Sequence, residues 1–132
     1  MGDKVRRFEE KFAEYVGVSD AVMVNSGSSA NLVMMLAARE LGMLEAGDEI
    51  LVPAVTWPTQ AWAAIEVGFQ VRLVDVDPTT LNMSPASLKQ AIRAKTRALF
   101  KTHLMGNPST VDESLLQFND CCEALGARIE GE

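Results

Sequence analysis

The sequence predicts an α/β protein in which a mostly parallel sheet lies between two layers of helices. Short apolar runs alternate with helix-forming tracts along residues 21–102, which is the pattern of repeated strand–helix units. The connections are short, and glycine or proline marks most boundaries. The chain has 132 residues, of which 48% are hydrophobic and 23% charged, and this suits one soluble domain, or part of one, with a single core.

The N-terminal third of the chain predicts two helices separated by a strand. Apolar residues recur at three- and four-residue steps over residues 4–16, which predicts an amphipathic helix that ends at Gly17. The run AVMVN at 21–25 is predicted to form a buried strand. The tract 28–41 is predicted to form a helix, which ends at Gly42.

The middle of the chain repeats the alternation. EILVP at 49–53 is predicted to be the second strand, and its proline ends it because proline cannot donate to a ladder. Residues 58–67 are predicted to form a helix that ends at Gly68. QVRLVDV at 70–76 is predicted to be the third strand.

A further helix and strand follow. Ser84 is expected to cap the helix, with Pro85 in the first helical position and an end near Ala94. TRALFKT at 96–102 is predicted to be the fourth strand. The 16 residues between His103 and Asp120 have room for a short helix or a short strand, hardly for both.

Charge and cysteine usage exclude several function classes. The net charge of −6 disfavours nucleic acid and anionic membranes as partners. Residues 21–38 carry no charge, but the polar NSGSS segment within them argues against a membrane span. The N-terminus shows no secretion signal. The adjacent Cys121 and Cys122 lack chelating spacing, and His103 is the only histidine, so we expect no metal site and a reduced, cytoplasmic location.

The NSGSS segment, residues 25–29, predicts a phosphate site. It lies between a predicted strand and a predicted helix, where the free amides of the first helical turn attract anions. Gly27 allows close approach, and the serine hydroxyls add donors. The Walker, dinucleotide-binding and hydrolase-elbow patterns do not fit. The alternative is a capped helix start without a ligand, and Asn31 is interpreted as an ordinary polar residue of the first turn.

Two further residues indicate which phosphorylated ligand this site binds. Trp57 follows the second predicted strand, at the edge where open α/β sheets bind ligands, and its indole can lie flat on an aromatic ring. Asp120 follows a short apolar piece, and a carboxylate there can pair with a protonated ring nitrogen. A polar loop, HLMGNP at 103–108, is expected at the same edge. Phosphate cradle, flat aromatic and aspartate together predict a site for pyridoxal phosphate.

The sequence resembles the DegT/DnrJ/EryC1/StrS family of nucleotide-sugar aminotransferases. The matching segments occur in family order and cover nearly the whole chain: FEEKFAEYVGV, VNSGSSANL, AGDEILVPAVTWPTQAWAAIEVGFQVRLVDVDPTTLNM, AIRAKTRALFKTHLMGNP and DCCEALGA. The resemblance implies the aspartate-aminotransferase-like fold (fold type I), with residues 1–132 as a single domain that forms an incomplete large domain. It also implies an enzyme dependent on pyridoxal 5'-phosphate or pyridoxamine 5'-phosphate, acting on a keto sugar nucleotide in sugar or polysaccharide biosynthesis.

The resemblance also assigns roles at the cofactor site. Gly27 and Ser28 would hold the cofactor phosphate, and Ser29 either donates to it or only starts the helix. Trp57 would stack on the pyridine ring, and Asp120 would keep the ring nitrogen protonated. Glu123 falls near the phenolic oxygen, where many family members have glutamine or histidine.

The family's Schiff-base lysine has no counterpart in this chain. That lysine and the small C-terminal domain come after the DCCEALGA segment, whereas the lysines here are Lys4, Lys11, Lys89, Lys95 and Lys101. We therefore expect no catalytic residue within these 132 residues and no activity of the chain alone.

Several functions remain open at this point. The first is the N-terminal part of a sugar aminotransferase, with glutamate as amino donor. A close variant is a pyridoxamine-dependent keto-deoxysugar 3-dehydrase, in which histidine replaces the family lysine. The others are an inactive binding or assembly module and a phosphate- or nucleotide-binding domain unrelated to vitamin B6. A homodimer or higher homo-oligomer is expected for the enzyme and for the assembly module.

Overall fold

The computed structural model describes residues 2–111 and 114–128. Within this part of the chain, four parallel strands form one sheet in the order β2-β1-β3-β4. The strands are β1 (Glu49–Pro53), β2 (Gln70–Val74), β3 (Thr96–Thr102) and β4 (Leu116–Asp120). The helices are α1 (Asp3–Val16), α2 (Gly27–Glu40), α3 (Thr59–Glu66) and α4 (Pro85–Ala91), with a short 3-10 turn at Leu104–Gly106.

Helices pack on both faces of the sheet. Successive side chains of a strand point to opposite faces, so apolar strands offer each face a surface for helices. One apolar cluster joins Ile50 of β1 to Met35 of α2 and Ala63 of α3. The next residue of β1, Leu51, points to the other face and joins a second cluster with Leu88 of α4. The predicted three-layer α/β architecture with a mostly parallel sheet is confirmed.

The predicted helix boundaries follow from local chemistry. Gly17 ends α1 in the left-handed conformation, with φ of 81°, and its amide donates to Ala13. Ser84 caps α4, since its side chain accepts from the amide of Ser87, and Pro85 occupies the first turn. This last helix ends at Ala91, three residues before the predicted end.

The prediction of a buried strand at residues 21–25 is wrong. These residues form no strand, and Val22 and Met23 are 71% and 47% exposed. The amide of Met23 donates to Oε1 of Glu9 on α1, at 2.8 Å, and does not enter a ladder. Apolar composition favours a strand, but a strand also needs a neighbour to pair with, and no described strand pairs with this segment.

The segment before Asp120 forms the strand, one of the two elements for which it has room. β4 pairs with β3 in parallel register, and Asp120 lies opposite Thr102 at the carboxyl end of both strands. Asp120 therefore reaches the edge of the sheet at which β1 also ends. Among residues 2–111 and 114–128, no helix is both apolar and long enough to cross a bilayer.

Candidate functional site

A cavity of about 340 Å³ opens at the carboxyl ends of β1, β3 and β4. We call it the edge cavity. Strand order reverses here, because the chain leaves β1 toward β2 on one side and later returns to β3 on the other, and such a switch point is where open α/β sheets bind ligands. Four segments contribute its lining: Gly27, Ser28 and Asn31; Trp57, Thr59 and Gln60; Thr102, His103 and Leu104; Asp120, Cys122 and Glu123.

The first turn of α2 brings an anion-binding group to this cavity. Ser26 caps the helix, and its Oγ accepts from the amide of Ser29 at 3.2 Å. The amides of Gly27 and Ser28 and the Ser28 hydroxyl have no partner within residues 2–111 and 114–128, so they remain available as donors. A Cβ added at Gly27 would meet no atom within 4 Å and would project into open space.

Ser29 differs from the two residues before it. It does not line the edge cavity, and its hydroxyl accepts from Ser26 Oγ at 3.2 Å. Its amide is also used by Ser26. In this structure Ser29 therefore contributes to the start of α2, which is one of the two roles expected for it.

Trp57 forms part of the cavity wall on the side of β1. It lies two residues before α3, and Pro58 between them is the N-cap of this helix. Its side chain is 71% exposed, so a large part of the indole is free to contact a ligand. Trp57 and the first turn of α2 thus line the same cavity.

Asp120 is held by three donors at the end of β4. Its Oδ2 accepts from Nε2 of Gln60 at 2.9 Å and from Nδ2 of Asn31 at 3.4 Å. Its Oδ1 accepts from the amide of Cys122 at 3.1 Å. All three partners donate, which suits a carboxylate that only accepts.

The side chain of Gln60 is fully buried, with 0% exposure, and its orientation is fixed. Its Oε1 accepts from the hydroxyls of Thr56 and Thr102, each at 2.8 Å. These two hydroxyls also contact each other at 2.7 Å. Because the Asp120 carboxylate only accepts, the amide nitrogen of Gln60 is directed toward it.

Asn31 is more than an ordinary polar residue of the first turn, and that interpretation was wrong. It is only 3% exposed, and its two amide hydrogens serve Thr59 and Asp120, each at 3.4 Å. It lies three residues after Ser28, so the two side chains share one face of α2. This helical spacing was visible in the sequence, whereas the contact with Asp120 joins residues far apart in the chain.

The loop after β3 is tied to the segment after β4. Oε2 of Glu123 accepts from the amide of Met105, at 2.5 Å. The Ser109 amide donates to Nδ1 of His103 at 2.9 Å, so the proton of the neutral ring sits on Nε2 and donates to Oδ1 of Asn119 at 3.1 Å. Both nitrogens of His103 are therefore engaged in supporting the cavity wall.

The two cysteines are free thiols beside this site. Burial raises the pKa of Cys121, and the nearby charge of Asp120 raises it further. A raised pKa keeps the thiol protonated, which disfavours a role for Cys121 as a nucleophile.

The residues that line the edge cavity suit a ligand with an anion at one end. The α2 amides and the Ser28 hydroxyl offer donors for a phosphate, and Asp120 offers an acceptor for a protonated nitrogen. Trp57 supplies an aromatic surface in the same cavity. The donor set therefore fits a phosphorylated pyridine.

Comparisons with known proteins identify enzymes that are similar to this chain. The chain is 40% identical to a GDP-4-keto-6-deoxy-D-mannose 3-dehydratase of Yersinia pseudotuberculosis, over 100% of this chain and 36% of the relative. It is 34% identical to a GDP-perosamine synthase of Caulobacter vibrioides, over 100% of this chain and 37% of the relative. The chain thus spans little more than a third of the length of these relatives.

A solved structure is also similar to this chain. The E. coli GDP-4-keto-6-deoxy-D-mannose-3-dehydratase with bound hydrated PLP matches with a TM-score of 0.92 and 38% identity, over 100% of this chain and 36% of that one. The family model for the DegT/DnrJ/EryC1/StrS aminotransferases matches residues 1–132. The chain belongs to the DegT/DnrJ/EryC1/StrS aminotransferase family.

Proposed function

We propose that this chain is the cofactor-binding part of a vitamin B6-dependent enzyme that acts on a keto sugar nucleotide. One observation carries the proposal: the fixed carboxylate of Asp120 and the free donors of the first turn of α2 line the same cavity as the exposed indole of Trp57. The cofactor is pyridoxal 5'-phosphate or pyridoxamine 5'-phosphate. A solved relative with bound hydrated PLP supports this choice.

Each residue has a distinct role in the proposal. The amides of Gly27 and Ser28 and the Ser28 hydroxyl bind the phosphate, where the α2 dipole adds partial positive charge. Trp57 covers one face of the pyridine ring and excludes water from it. Asp120 accepts a hydrogen bond from the protonated ring nitrogen. When bound, the cofactor supplies an electron sink for the chemistry at the substrate carbon.

Two predicted site residues have smaller roles. Glu123 holds the loop that contains Met105 and lines the edge cavity, and it would lie near the phenolic oxygen of a bound cofactor. Ser29 stabilises the start of α2 through Ser26 and contacts the phosphate only indirectly.

The substrate class follows from the relatives. The Yersinia and Caulobacter relatives are enzymes named for GDP-linked deoxy sugars. The E. coli enzyme of the solved structure is also a GDP-4-keto-6-deoxy-D-mannose 3-dehydratase. A keto sugar nucleotide is therefore the proposed substrate, in a sugar or polysaccharide biosynthetic reaction. In the aminotransferase form of the proposal, glutamate is the amino donor.

Two reactions are candidates for the whole enzyme. Dehydration at carbon 3 is favoured by the 40% identity to a 3-dehydratase, compared with 34% for the perosamine synthase. Amino transfer is supported by the family itself. The residue at the family's lysine position distinguishes them: lysine there supports transfer, and histidine supports dehydration.

The remaining proposals concern assembly and location. Residues 1–132 form one domain, part of the large domain of the enzyme, in the cytoplasm. Apolar side chains that are exposed on α2 and α3 favour a homodimer or higher homo-oligomer, since such surfaces are normally covered.

The proposal is tested by calorimetry with pyridoxamine 5'-phosphate, which does not react with surface lysines as an aldehyde does. The variant Gly27→Val with Ser28→Ala should bind at least about tenfold more weakly. The valine blocks the phosphate from the free amides of the first turn of α2 (the phosphate cradle), and the alanine removes the Ser28 hydroxyl, a donor to the charged phosphate. Ser87→Ala, in the first turn of α4 and away from the cavity, is the matched control and should bind as the unaltered chain does. Equal binding by all three proteins would refute the proposed site.

A further inference from the structure

We infer that Gln60 is the residue that positions Asp120 toward the ring nitrogen of the bound cofactor. This inference rests on the proposed function, because it assigns a role toward the same vitamin B6 site. The contact is a 2.9 Å hydrogen bond from the Gln60 amide nitrogen to Oδ2 of Asp120. Gln60 acts through Asp120 and is a positioning residue.

Burial makes this contact specific. Gln60 is 0% exposed, whereas Asp120 is only half-buried and keeps one side toward the edge cavity. A buried amide must satisfy both its oxygen and its nitrogen, since an unpaired polar group in the interior costs free energy. For the nitrogen, Asp120 is the acceptor that the structure supplies.

The carboxylate of Asp120 prevents the amide from turning over, because it only accepts hydrogen bonds. Thr56 follows β1 and Thr102 ends β3, and both donate to Oε1 of Gln60. A reversed amide would place its oxygen against the carboxylate of Asp120, where neither group can donate, whereas the threonine hydroxyls accept either orientation. The segment after β1 and the ends of β3 and β4 are thus joined through one side chain, and the carboxylate is held at a fixed place relative to the sheet.

Asn31 adds a second, longer donor to the same carboxylate oxygen, at 3.4 Å. It lies on α2, together with Ser28 of the phosphate cradle. Gln60 provides the shorter contact and holds Asp120 to the sheet, whereas Asn31 relates Asp120 to the phosphate end of the site.

The test compares two ligands of the full 132-residue chain. Inorganic phosphate probes the α2 cradle alone, and pyridoxamine 5'-phosphate probes the cradle and the ring nitrogen together. Gln60→Met is similar in size and lacks both polar atoms. Gln90→Met, on the exposed side of α4, is the control.

The expected result is selective. Gln60→Met should bind pyridoxamine 5'-phosphate about tenfold more weakly, because a displaced Asp120 loses its hydrogen bond to the charged ring nitrogen. It should bind inorganic phosphate as the unaltered chain does. Followed by ultraviolet absorbance, the ring nitrogen of the bound cofactor should lose its proton at a lower pH in Gln60→Met. Gln90→Met should change neither measurement.

Three results would count against the inference. Unchanged cofactor affinity and ring titration in Gln60→Met would overturn it while leaving the proposed function intact. Equal losses for cofactor and for inorganic phosphate would show that Gln60 only supports the fold. If the unaltered chain binds neither ligand, the proposed function fails, and the role of Gln60 fails with it.

Discussion

Arg72 of β2 donates from both Nε and Nη2 to a single carboxylate oxygen, Oε2 of Glu49 on β1, at 2.9 and 2.6 Å. The other oxygen of Glu49 accepts from the hydroxyl of Thr96 on β3, at 2.8 Å. One carboxylate therefore links three neighbouring strands at the amino end of the sheet. This is the end opposite the edge cavity, so the link affects stability separately from binding.

The link to Glu49 predicts an acid-dependent loss of stability. The hydrogen bonds from Arg72 lower the pKa of Glu49, against the effect of burial, and Thr96 lowers it further. A lowered folded-state pKa stabilises the protein above the unfolded pKa of about 4.3, and this contribution is lost as the pH falls through the folded-state pKa.

The variant Glu49→Gln should therefore lower the free energy of unfolding by about 1 kcal/mol at pH 7. The difference between variant and unaltered chain should shrink as the pH falls below about 4. Urea unfolding between pH 3 and pH 7 measures this. Glu66→Gln, at the exposed end of α3, is the control, and a difference that stays constant with pH would contradict the assignment.

Trp57 should report cofactor binding by fluorescence. The chain has two tryptophans, so Trp62→Phe leaves Trp57 as the only indole. Pyridoxamine 5'-phosphate should quench its emission, because the ring stacks on it. The reciprocal variant Trp57→Phe should show little quenching, since Trp62 does not line the edge cavity.

Removing the indole should also weaken binding. Trp57→Ala should raise the dissociation constant of pyridoxamine 5'-phosphate by roughly 2- to 10-fold, the range expected for one aromatic pair. Trp62→Ala should leave it unchanged. Quenching of Trp62 that is as strong as that of Trp57 would place the ligand elsewhere.

Cys121 should react slowly with thiol reagents near neutral pH. Burial and the charge of Asp120 raise its pKa, and only the thiolate is a good nucleophile. In the Cys122→Ser variant, the rate of alkylation by iodoacetamide should therefore rise with a midpoint above the value of about 8.5 for an ordinary cysteine. A midpoint at or below that value would show that Cys121 is not shielded in this way.

Exposed apolar side chains on α2 predict self-association. Val33 and Leu36 lie three residues apart on one face of the helix and are both exposed. Replacing both by lysine should raise the dissociation constant of the assembly at least about tenfold, because charges would have to be desolvated on association. Light scattering at rising concentration measures this, with Gln90→Lys as control, and a monomer at high concentration would contradict the prediction.

The sheet was predictable because its signals are local. The apolar runs at 49–53 and 96–102 coincide with β1 and β3, and Ser84 with Pro85 marked the start of α4 correctly. The run at 21–25 carries the same local signal and forms no strand in this structure. Hydropathy indicates what a segment prefers to contact, but pairing depends on which strands lie beside it.

The site was predictable only in part, for a related reason. Ser28, Trp57 and Asp120 have chemistry that a cofactor requires, so each was visible from its type and from the short apolar run that precedes it in the sequence. Gln60 and Asn31 both donate hydrogen bonds to Asp120, which lies 60 and 89 residues further along the chain. No local pattern indicates such a partner, and only the folded chain brings the amides and the carboxylate together.

The shared face of α2 has a consequence for how this sequence can vary. Ser28 faces the edge cavity, and Asn31, one turn later, reaches Asp120. Inserting a single amino acid between them would rotate everything downstream by about 100° and advance it by about 1.5 Å, which would separate the two contacts. The first turns of this helix therefore accept only replacements that keep the number of residues between Ser28 and Asn31.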